Sequence, residues 1–336
     1  HSEAQVAVVE NNEALQKYFQ IWDSLPELKL IVVWSDKLPE NIPHSRKSAV
    51  ILFSELIKSG KANFNESSLL MRASQIKPGS CCTLVYTSGT TGNPKGVMLS
   101  HDNYSWTSEC VNRTVEGKFG EERIVSYLPL SHVAAQNLDI IGCIALGAEI
   151  SFAGPNALSG ALVETLQDVR PTIFFGVPRV WEKIEEKLRS VGAQNGFIKQ
   201  AIGNWAKGQG VEGTFKEINE QSIPVSFKIA KKLIFNNVKK ALGLDQTKFF
   251  LYGAAPLSVQ TRLYFASLNI FLINGYGMSE CSGPQNFSDP RNLEAFNEFT
   301  MKSAGVKLDG TDIRIDSPDA EGNGEICYRG RNRFMG

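Results

Sequence analysis

Thr83 to Leu99 reads Thr-Leu-Val-Tyr-Thr-Ser-Gly-Thr-Thr-Gly-Asn-Pro-Lys-Gly-Val-Met-Leu, an apolar strand, a hydroxyl- and glycine-rich loop ending in Lys95, and a second apolar strand. From Thr87 to Gly96 the loop offers four hydroxyls, on Thr87, Ser88, Thr90 and Thr91, together with three glycines, Gly89, Gly92 and Gly96. Asn93, Pro94 and Lys95 close it. Glycines without a Cβ let backbone N–H groups approach an anion, and the hydroxyls and ammonium add donors, so the loop is suited to holding phosphates. It is not a Walker loop, which needs Gly-Lys-Ser/Thr running into a helix; here Pro94 precedes the lysine and Gly-Val-Met-Leu reads as strand. A plain hairpin needs only roughly two to five turn residues and has no use for such a set of donors.

Outward from this loop the chain alternates between helical and strand periods, as an α/β protein does. Upstream, Val6–Val9 and Leu30–Trp34 read as strands around an Asn12–Trp22 helix, the tail of a larger sheet. The polar stretch Lys58–Lys77 reads as a linker. Downstream, helices are expected over Tyr104–Val115, His132–Leu146, Leu158–Val169 and from Pro178, with strands at Arg123–Leu128, Ala148–Phe152 and Thr172–Phe175. Val191–Ser222 holds six glycines and little periodicity, and reads as a surface insertion. A basic amphipathic helix follows over Val225–Leu242, then strands Lys248–Tyr252 and Ile270–Asn274 around a Ser258–Ser267 helix. Short β segments with turns at Asp309-Gly310 and Glu321-Gly322-Asn323-Gly324 occupy Ala304–Arg331.

In open α/β sheets ligands sit outside the carboxyl ends of the strands. The turns Gly253-Ala254-Ala255 and Gly275-Tyr276-Gly277-Met278-Ser279-Glu280 are therefore where a nucleotide is expected. Small residues in the first let a flat ring slide against backbone, and Tyr276 offers a face or wall for adenine. Ser279 can donate to a phosphoryl or acyl oxygen. Glu280 is the only carboxylate in its turn, and hard Mg²⁺ takes one or two carboxylates plus substrate phosphates.

Composition narrows the class. Hydrophobic content of 42% with 21% charged residues suits a globular enzyme, and 35 basic against 35 acidic side chains give no net field that would favour nucleic acid. The six cysteines are scattered without C-x-x-C spacing, and the vicinal Cys81-Cys82 pair would bridge only with strain, so buried thiols in a reducing compartment are expected. Leu138–Ala153, the most apolar region, carries Asp139 and Glu149 and is too short to span a bilayer. The chain starts at His1 without a Met, so a missing targeting segment proves little.

Taken together, Tyr86–Leu99, Tyr127-Leu-Pro-Leu-Ser-His132, Gly176-Val-Pro-Arg-Val-Trp-Glu-Lys-Ile184, Gly253–Leu257, Gly275–Glu280 and Gly324–Gly336 resemble the adenylate-forming superfamily. The wording is similar to the N-terminal domain of long-chain fatty acyl-CoA synthetases of the eukaryotic bubblegum type. The resemblance implies an α/β adenylate-forming N-terminal domain: two βα-layered subdomains with a small β subdomain at the C-terminal end. Its divisions fall at 1–75 (a partial first subdomain and linker), 76–298 (the AMP-binding core, with insertion 191–222) and 299–336, where a β subdomain begins.

The same resemblance implies a two-step reaction with ATP, Mg²⁺ and CoA. A fatty carboxylate attacks the α-phosphorus, pyrophosphate leaves, and the acyl-adenylate yields acyl-CoA and AMP. A carboxylate with pKa of about 4 to 5 is already ionised at neutral pH, so the first step needs no general base; the obstacle is repulsion between anions. Lys95, His132 and Glu280 are the implied catalytic residues. ATP is expected on Thr87, Ser88, Gly89, Thr90, Thr91, Gly92, Asn93, Pro94 and Lys95, on Gly253, Ala254 and Ala255, and on Gly275, Tyr276, Gly277, Met278, Ser279 and Glu280, with Glu280 and Thr91 near the metal. Taken alone, His132 after Pro-Leu-Ser reads as a neighbour of a helix cap.

The family's ribose-binding segment, hinge and C-terminal lid domain lie beyond Gly336, so the chain reads as an incomplete core of low activity by itself. A fragment that holds ATP or acyl-adenylate without turnover, or a ligase for another acid, are the alternatives. An amino-acid ligase would need a carboxylate for the substrate ammonium, and none is assignable near Tyr127–Gln136. No transmembrane segment or nucleic-acid partner is expected; a cytoplasmic location, peripheral at the endoplasmic reticulum membrane, is.

Overall fold

The computed structural model describes residues 2–87, 93–289, 291 and 301–336. It divides into two compact units, His1–Lys77 and Pro78–Gly336.

In the first unit, strands Val6–Val9, Leu30–Val33 and Val50–Leu52 form a parallel sheet in that order. The Asn12–Ile21 helix crosses between the first two, its start fixed by Asn11, whose side chain accepts from Ala14 N–H at 2.9 Å. Leu15 from this helix, Trp22, Ile31, Val33 and Val50 close the core. Lys58–Lys77 is not a linker. Helices Phe53–Ala62 and Glu66–Gln75 occupy most of it, started by Glu55 accepting from Leu52 N–H and by Asn65 accepting from Ser68 N–H. Neither helix buries a residue within the unit, so the sequence carries little of the apolar stripe that would mark it.

The second unit opens with the hairpin Cys81–Thr87 and Lys95–Ser100, antiparallel and in register from Thr83↔Leu99 to Thr87↔Lys95. A capping box starts the next helix, His101–Thr114: Ser100 Oγ accepts from Asn103 N–H at 3.1 Å and Asn103 Oδ1 from Ser100 N–H at 2.8 Å. The central sheet runs in the order Val306–Lys307, Gly283–Phe287, Leu272–Met278, Phe249–Gly253, Ile173–Gly176, the last three mutually parallel. The parallel pair Arg123–Ser126 and Glu149–Phe152 adjoins it, with Thr172 N–H donating to Arg123 O at 2.9 Å. Asp312–Asp316 and Glu325–Arg329 form a separate antiparallel pair.

Successive strand residues point to opposite faces, and both faces are covered, which is why these strands read as continuous apolar runs. Phe174, Phe250, Tyr252 and Leu272 pack beneath Trp181, Ile184 and Phe265 on one side. On the other, Ile173, Leu251, Ile273 and Phe287 meet Val111, Val115, Cys143 and Leu146. Trp181 is fully buried between Phe174 and Phe265, ring centroids 5.3 and 5.1 Å away, and its Nε1–H donates to Leu251 O at 3.2 Å.

The stretch expected to be an irregular insertion is a helix, Phe197–Ile218. Its contacts are made where side chains are absent. A Cβ on Gly210 would lie 2.0 Å from Ser267 O, and one on Gly213 would lie 1.9 Å from the Phe227 ring. Thr214 donates to Ala266 O at 3.0 Å beside them. Glycine at the packed positions erases the hydrophobic period that normally announces a buried face.

Candidate functional site

The parallel strands Ile173–Gly176, Phe249–Gly253 and Leu272–Met278 bring their carboxyl ends to one edge, with Gly176 opposite Tyr252 and Gly253 opposite Gly275. Close approach there excludes side chains: a Cβ on Gly253 would lie 2.5 Å from Gly275 O, and one on Gly176 would lie 2.6 Å from Trp181 Nε1. Immediately after, Ala254 sits at φ +68°, a left-handed conformation that costs roughly 1–2 kcal/mol for a residue bearing a Cβ. Ala254 and Ala255 are exposed at this edge.

Gly275–Met278 was expected to be a turn and is instead the end of its strand. Tyr276 pairs Asn286, and after a bulge Gly277 pairs Pro284 and Met278 pairs Gly283. The reversal is the single turn Ser279–Cys281, carrying Glu280. Two glycines inside a strand mimic turn composition, but Gly277 is there because a Cβ would lie 1.9 Å from Gly283 O.

Thr87 and Lys95 face each other at the mouth of the hairpin. Ser88, Gly89, Thr90, Thr91 and Gly92 lie outside the described residues, while Asn93, Pro94 and Lys95 are exposed. The hairpin is tied to the Glu280 turn by the last residues of the chain. Phe334 N–H donates to Glu280 O at 2.9 Å, Met335 N–H donates to Met98 O at 2.8 Å, and Met98 N–H donates to Gly336 O at 3.1 Å. Lys95 and Glu280 make no ion pair or side-chain hydrogen bond with any described residue. Among the described residues, a cation and a carboxylate thus stand without partners on the connected elements.

Asn103 holds this strap and is a residue the motif reading missed. Its Nδ2 donates to Arg331 O at 2.6 Å and Arg333 O at 2.9 Å while Oδ1 caps its own helix. Arg331 pairs with Asp102 on the same helix turn and holds that carboxyl below its ordinary range. The sequence reading starts this helix at Tyr104, because Ser100-x-x-Asn103 lacks the Glu or Gln that marks a capping box, and neither use of the amide was legible.

His132 caps the short helix Val133–Ala135, its Nδ1 accepting from Ala134 N–H at 3.1 Å. Desolvation pushes its pKa down, and this hydrogen bond needs the Nδ1 lone pair, so the imidazole is held neutral. The segment leading to it is anchored at both ends. Tyr127 donates from its hydroxyl to Phe175 O at 3.1 Å and accepts from Val177 N–H at 3.3 Å. Gln136 Nε2 donates to Leu130 O at 2.8 Å, and Gln136 Oε1 accepts from Tyr104 at 2.6 Å.

Gln136–Gly142 then widens into a π-helical turn, a distortion frequent at functional sites. It carries buried Asp139, which accepts from Ser126 Oγ at 2.7 Å and whose pKa burial raises from 3.8 to about 6. Among the described residues, no three His, Cys, Asp or Glu side chains cluster as a metal site. Glu280 alone fits Mg²⁺ only as the partner of bound phosphates. No helix among the described residues is long and apolar enough to cross a membrane.

The AMP-binding enzyme family profile matches residues 1–336. The long-chain-fatty-acid–CoA ligase ACSBG2 of Xenopus laevis is 46% identical over 338 residues, covering 99% of this chain and 44% of its own length. ACSBG1 of Bos taurus, also a long-chain-fatty-acid–CoA ligase, is 41% identical over 336 residues, with 99% and 45% covered. The chain therefore spans a little under half of these relatives. Among solved structures, the anthranilate CoA ligase AuaEII in complex with anthranoyl-AMP superposes with a TM-score of 0.61 at 18% identity, over 99% of this chain and 52% of that one. The o-succinylbenzoate CoA synthetase of Bacillus subtilis with its acyl-adenylate gives 0.58 at 19% identity, over 98% and 55%. At such identity the likeness is one of fold. With the profile matching from the first residue to the last, the chain belongs to the AMP-binding enzyme family.

Proposed function

We propose that this chain carries the nucleotide- and acyl-handling core of an enzyme that activates long-chain fatty acids. The carboxylate attacks the α-phosphorus of ATP and displaces pyrophosphate; the CoA thiol, after losing its proton, then displaces AMP from the acyl-adenylate. The observation that carries this reading is that Lys95 and Glu280, neither of which pairs with any described residue, stand on two elements tied together by the Phe334–Gly336 strap, Glu280 directly after the strand Leu272–Met278. The identity of 46% to a long-chain-fatty-acid–CoA ligase supports the substrate class.

In this reading Gly253, Ala254 and Ala255 lie along one face of adenine and Tyr276 walls the other, while Ser279 donates to the phosphoryl or acyl oxygen. Lys95 neutralises charge spreading onto the leaving pyrophosphate, with Thr87, Asn93 and the loop of Ser88–Gly92 supplying further donors. Glu280, with Thr91, would hold Mg²⁺, which supplies charge neutralisation on the phosphates when bound. Neutral His132 offers Nε2 to the acyl oxygen without adding a charge. All six cysteines are free thiols, and although only Cys143 and Cys281 are buried as expected while Cys81 and Cys82 are exposed, the unpaired state suits a reducing cytoplasmic setting.

The test is acid-dependent exchange of labelled pyrophosphate into ATP on the intact protein, with carboxylic acids of graded chain length. Exchange is expected to rise with long chains, and Lys95→Ala to lower it about 10²–10³-fold while fatty-acid binding changes little. Exchange supported equally by short or aromatic acids would overturn the substrate class, and an undiminished rate in Lys95→Ala would remove that residue from the chemistry.

A further inference from the structure

Four helical segments border an open surface cavity of about 670 Å³: Pro178–Ala193, Phe197–Ile218, Val259–Ala266 and the helix running through Lys231–Phe235 and Asn236–Ala241. Its volume lies within the range of roughly 300–1,000 Å³ typical of small-molecule sites. None of its lining residues belongs to the hairpin, to the Tyr127–His132 segment or to the strand-end turns. The floor is apolar, built from Leu188, Leu233, Ile234, Val238, Tyr264 and Leu268. Leu233 remains 53% exposed and Ile202 at the wall 41%, so the chain as described leaves this surface open to solvent.

The charge at the rim has one sign. No acidic side chain lines the cavity, whereas Arg189, Lys199 and Lys207 do. Arg189 is already committed: its Nε donates to Glu185 at 2.7 Å and its guanidinium stacks over Tyr264 at 4.2 Å. The side chains of Lys199 and Lys207 make no ion pair or hydrogen bond with any described residue.

They stand one turn before and one turn after Gly203, and the spacing of four puts all three on one helix face. A Cβ at Gly203 would meet nothing within 4 Å. Packing therefore does not require glycine there, although glycine inside a helix costs about 1 kcal/mol against alanine. The helix presents two unpaired ammonium groups flanking a gap left by a missing side chain, above an apolar floor.

We propose that this cavity binds a single-chain lipid anion, its acyl chain on the Leu233, Val238 and Leu268 floor and its carboxylate or phosphate head over Gly203 between Lys199 and Lys207. An apolar body with one anionic end matches the pocket in both respects. A neutral lipid leaves the lysines unanswered, and a free phosphate leaves the floor uncovered.

The experiment is photolabelling of the intact protein, without ATP, by a diazirine analogue of palmitate, with the adducts mapped by peptide sequencing. Adducts are expected within 188–207 and 233–241, competed by excess palmitate, by lysophosphatidate or by both. Competition by palmitate alone identifies a carboxylate head and by lysophosphatidate alone a phosphate head. Gly203→Trp, which fills the gap, should reduce this labelling at least tenfold. The pair Lys199→Glu and Lys207→Glu, both at the rim rather than in the core, should do the same with unchanged melting and unchanged pyrophosphate exchange, so a folding defect in the tryptophan variant would not decide the matter. Absence of adducts in both segments, equal competition by hexadecanol or inorganic phosphate, labelling indifferent to the lysine pair, or a self-associated protein in which the cavity is covered by a second copy would each overturn the proposal. Because pyrophosphate exchange is read separately, failure here and failure of the ligase reading are distinguishable.

Discussion

Glycine at the carboxyl edge of the central sheet and the two glycines Gly203 and Gly208 of the Phe197–Ile218 helix obey opposite physical requirements, while Gly210 and Gly213 of that helix side with the edge. At Gly277 a Cβ would lie 1.9 Å from a neighbouring backbone oxygen, and at Gly176 it would collide with Trp181. Backbone there must approach backbone or ring, and nothing larger than hydrogen fits. At Gly203 and Gly208 a Cβ would meet nothing within 4 Å. The edge is thus cleared of side chains by packing, whereas part of the helix is cleared without any packing demand. Composition alone treats these glycines alike.

The contrast breaks most visibly at the ring that seals the edge from behind. Trp181→Ala removes a fully buried indole that packs on Phe174 and Phe265 and hydrogen-bonds Leu251 O. Urea denaturation should show a loss of about 3–5 kcal/mol; a loss below about 1 kcal/mol would mean that the strand ends are not supported from the helix layer.

Next in size is Gly277→Ala. The colliding atom is backbone and cannot rotate aside, so the bulge between Leu272–Met278 and Gly283–Phe287 must shift. Destabilisation of about 3 kcal/mol is expected from overpacking, read from the same denaturation curves. Wild-type stability in this variant would refute the steric account of the edge.

A smaller effect separates the π-helical turn from both glycine regions. Burial raises the Asp139 pKa from 3.8 to about 6, so the folded protein keeps a proton that the unfolded chain releases. Unfolding free energy should therefore fall as pH rises from about 4 to about 6 and level off above that window. Asp139→Asn keeps an acceptor for Ser126, and should flatten the slope and raise stability near neutral pH by up to about 3 kcal/mol. An unaltered pH profile would show that Asp139 is ionised and solvated when folded.

The smallest change carries the opposite sign. Gly208→Ala on the helix should stabilise by about 0.5–1 kcal/mol, because the added methyl meets no atom and restricts the unfolded chain. Measured beside Gly277→Ala it sets the two kinds of glycine against each other; destabilisation at both positions would erase the distinction.

Legibility from sequence followed the same division. Strands buried on both faces announced themselves: Ile173–Gly176, Phe249–Gly253 and Arg123–Ser126 lie within a residue or two of where apolar runs put them. The start of the Pro178–Ala193 helix was readable because a proline in the first turn is a local signal. The Phe197–Ile218 helix was not readable because its buried face is lined by Ala206, Gly210, Gly213 and Thr214, which do not score as hydrophobic. Gly275–Met278 misled for a related reason, since glycines needed for a close strand pair look like a turn.

At the candidate site, the hairpin with Lys95, the small residues at Gly253–Ala255 and the lone carboxylate Glu280 were determined by sequence. Their chemistry resides in residue type and in spacing over a few positions, and a hydroxyl- and glycine-rich loop and a strand end are both local objects. Tertiary structure decided how they are joined. The strap from Phe334 to Gly336 reaches Met98 from more than two hundred residues away and joins it to the Glu280 turn, and Asn103 reaches Arg331 and Arg333 over a comparable span. Such bonds use backbone carbonyls and amides that every residue possesses, so no residue type marks them. Only the folded path of the chain brings them within hydrogen-bonding distance.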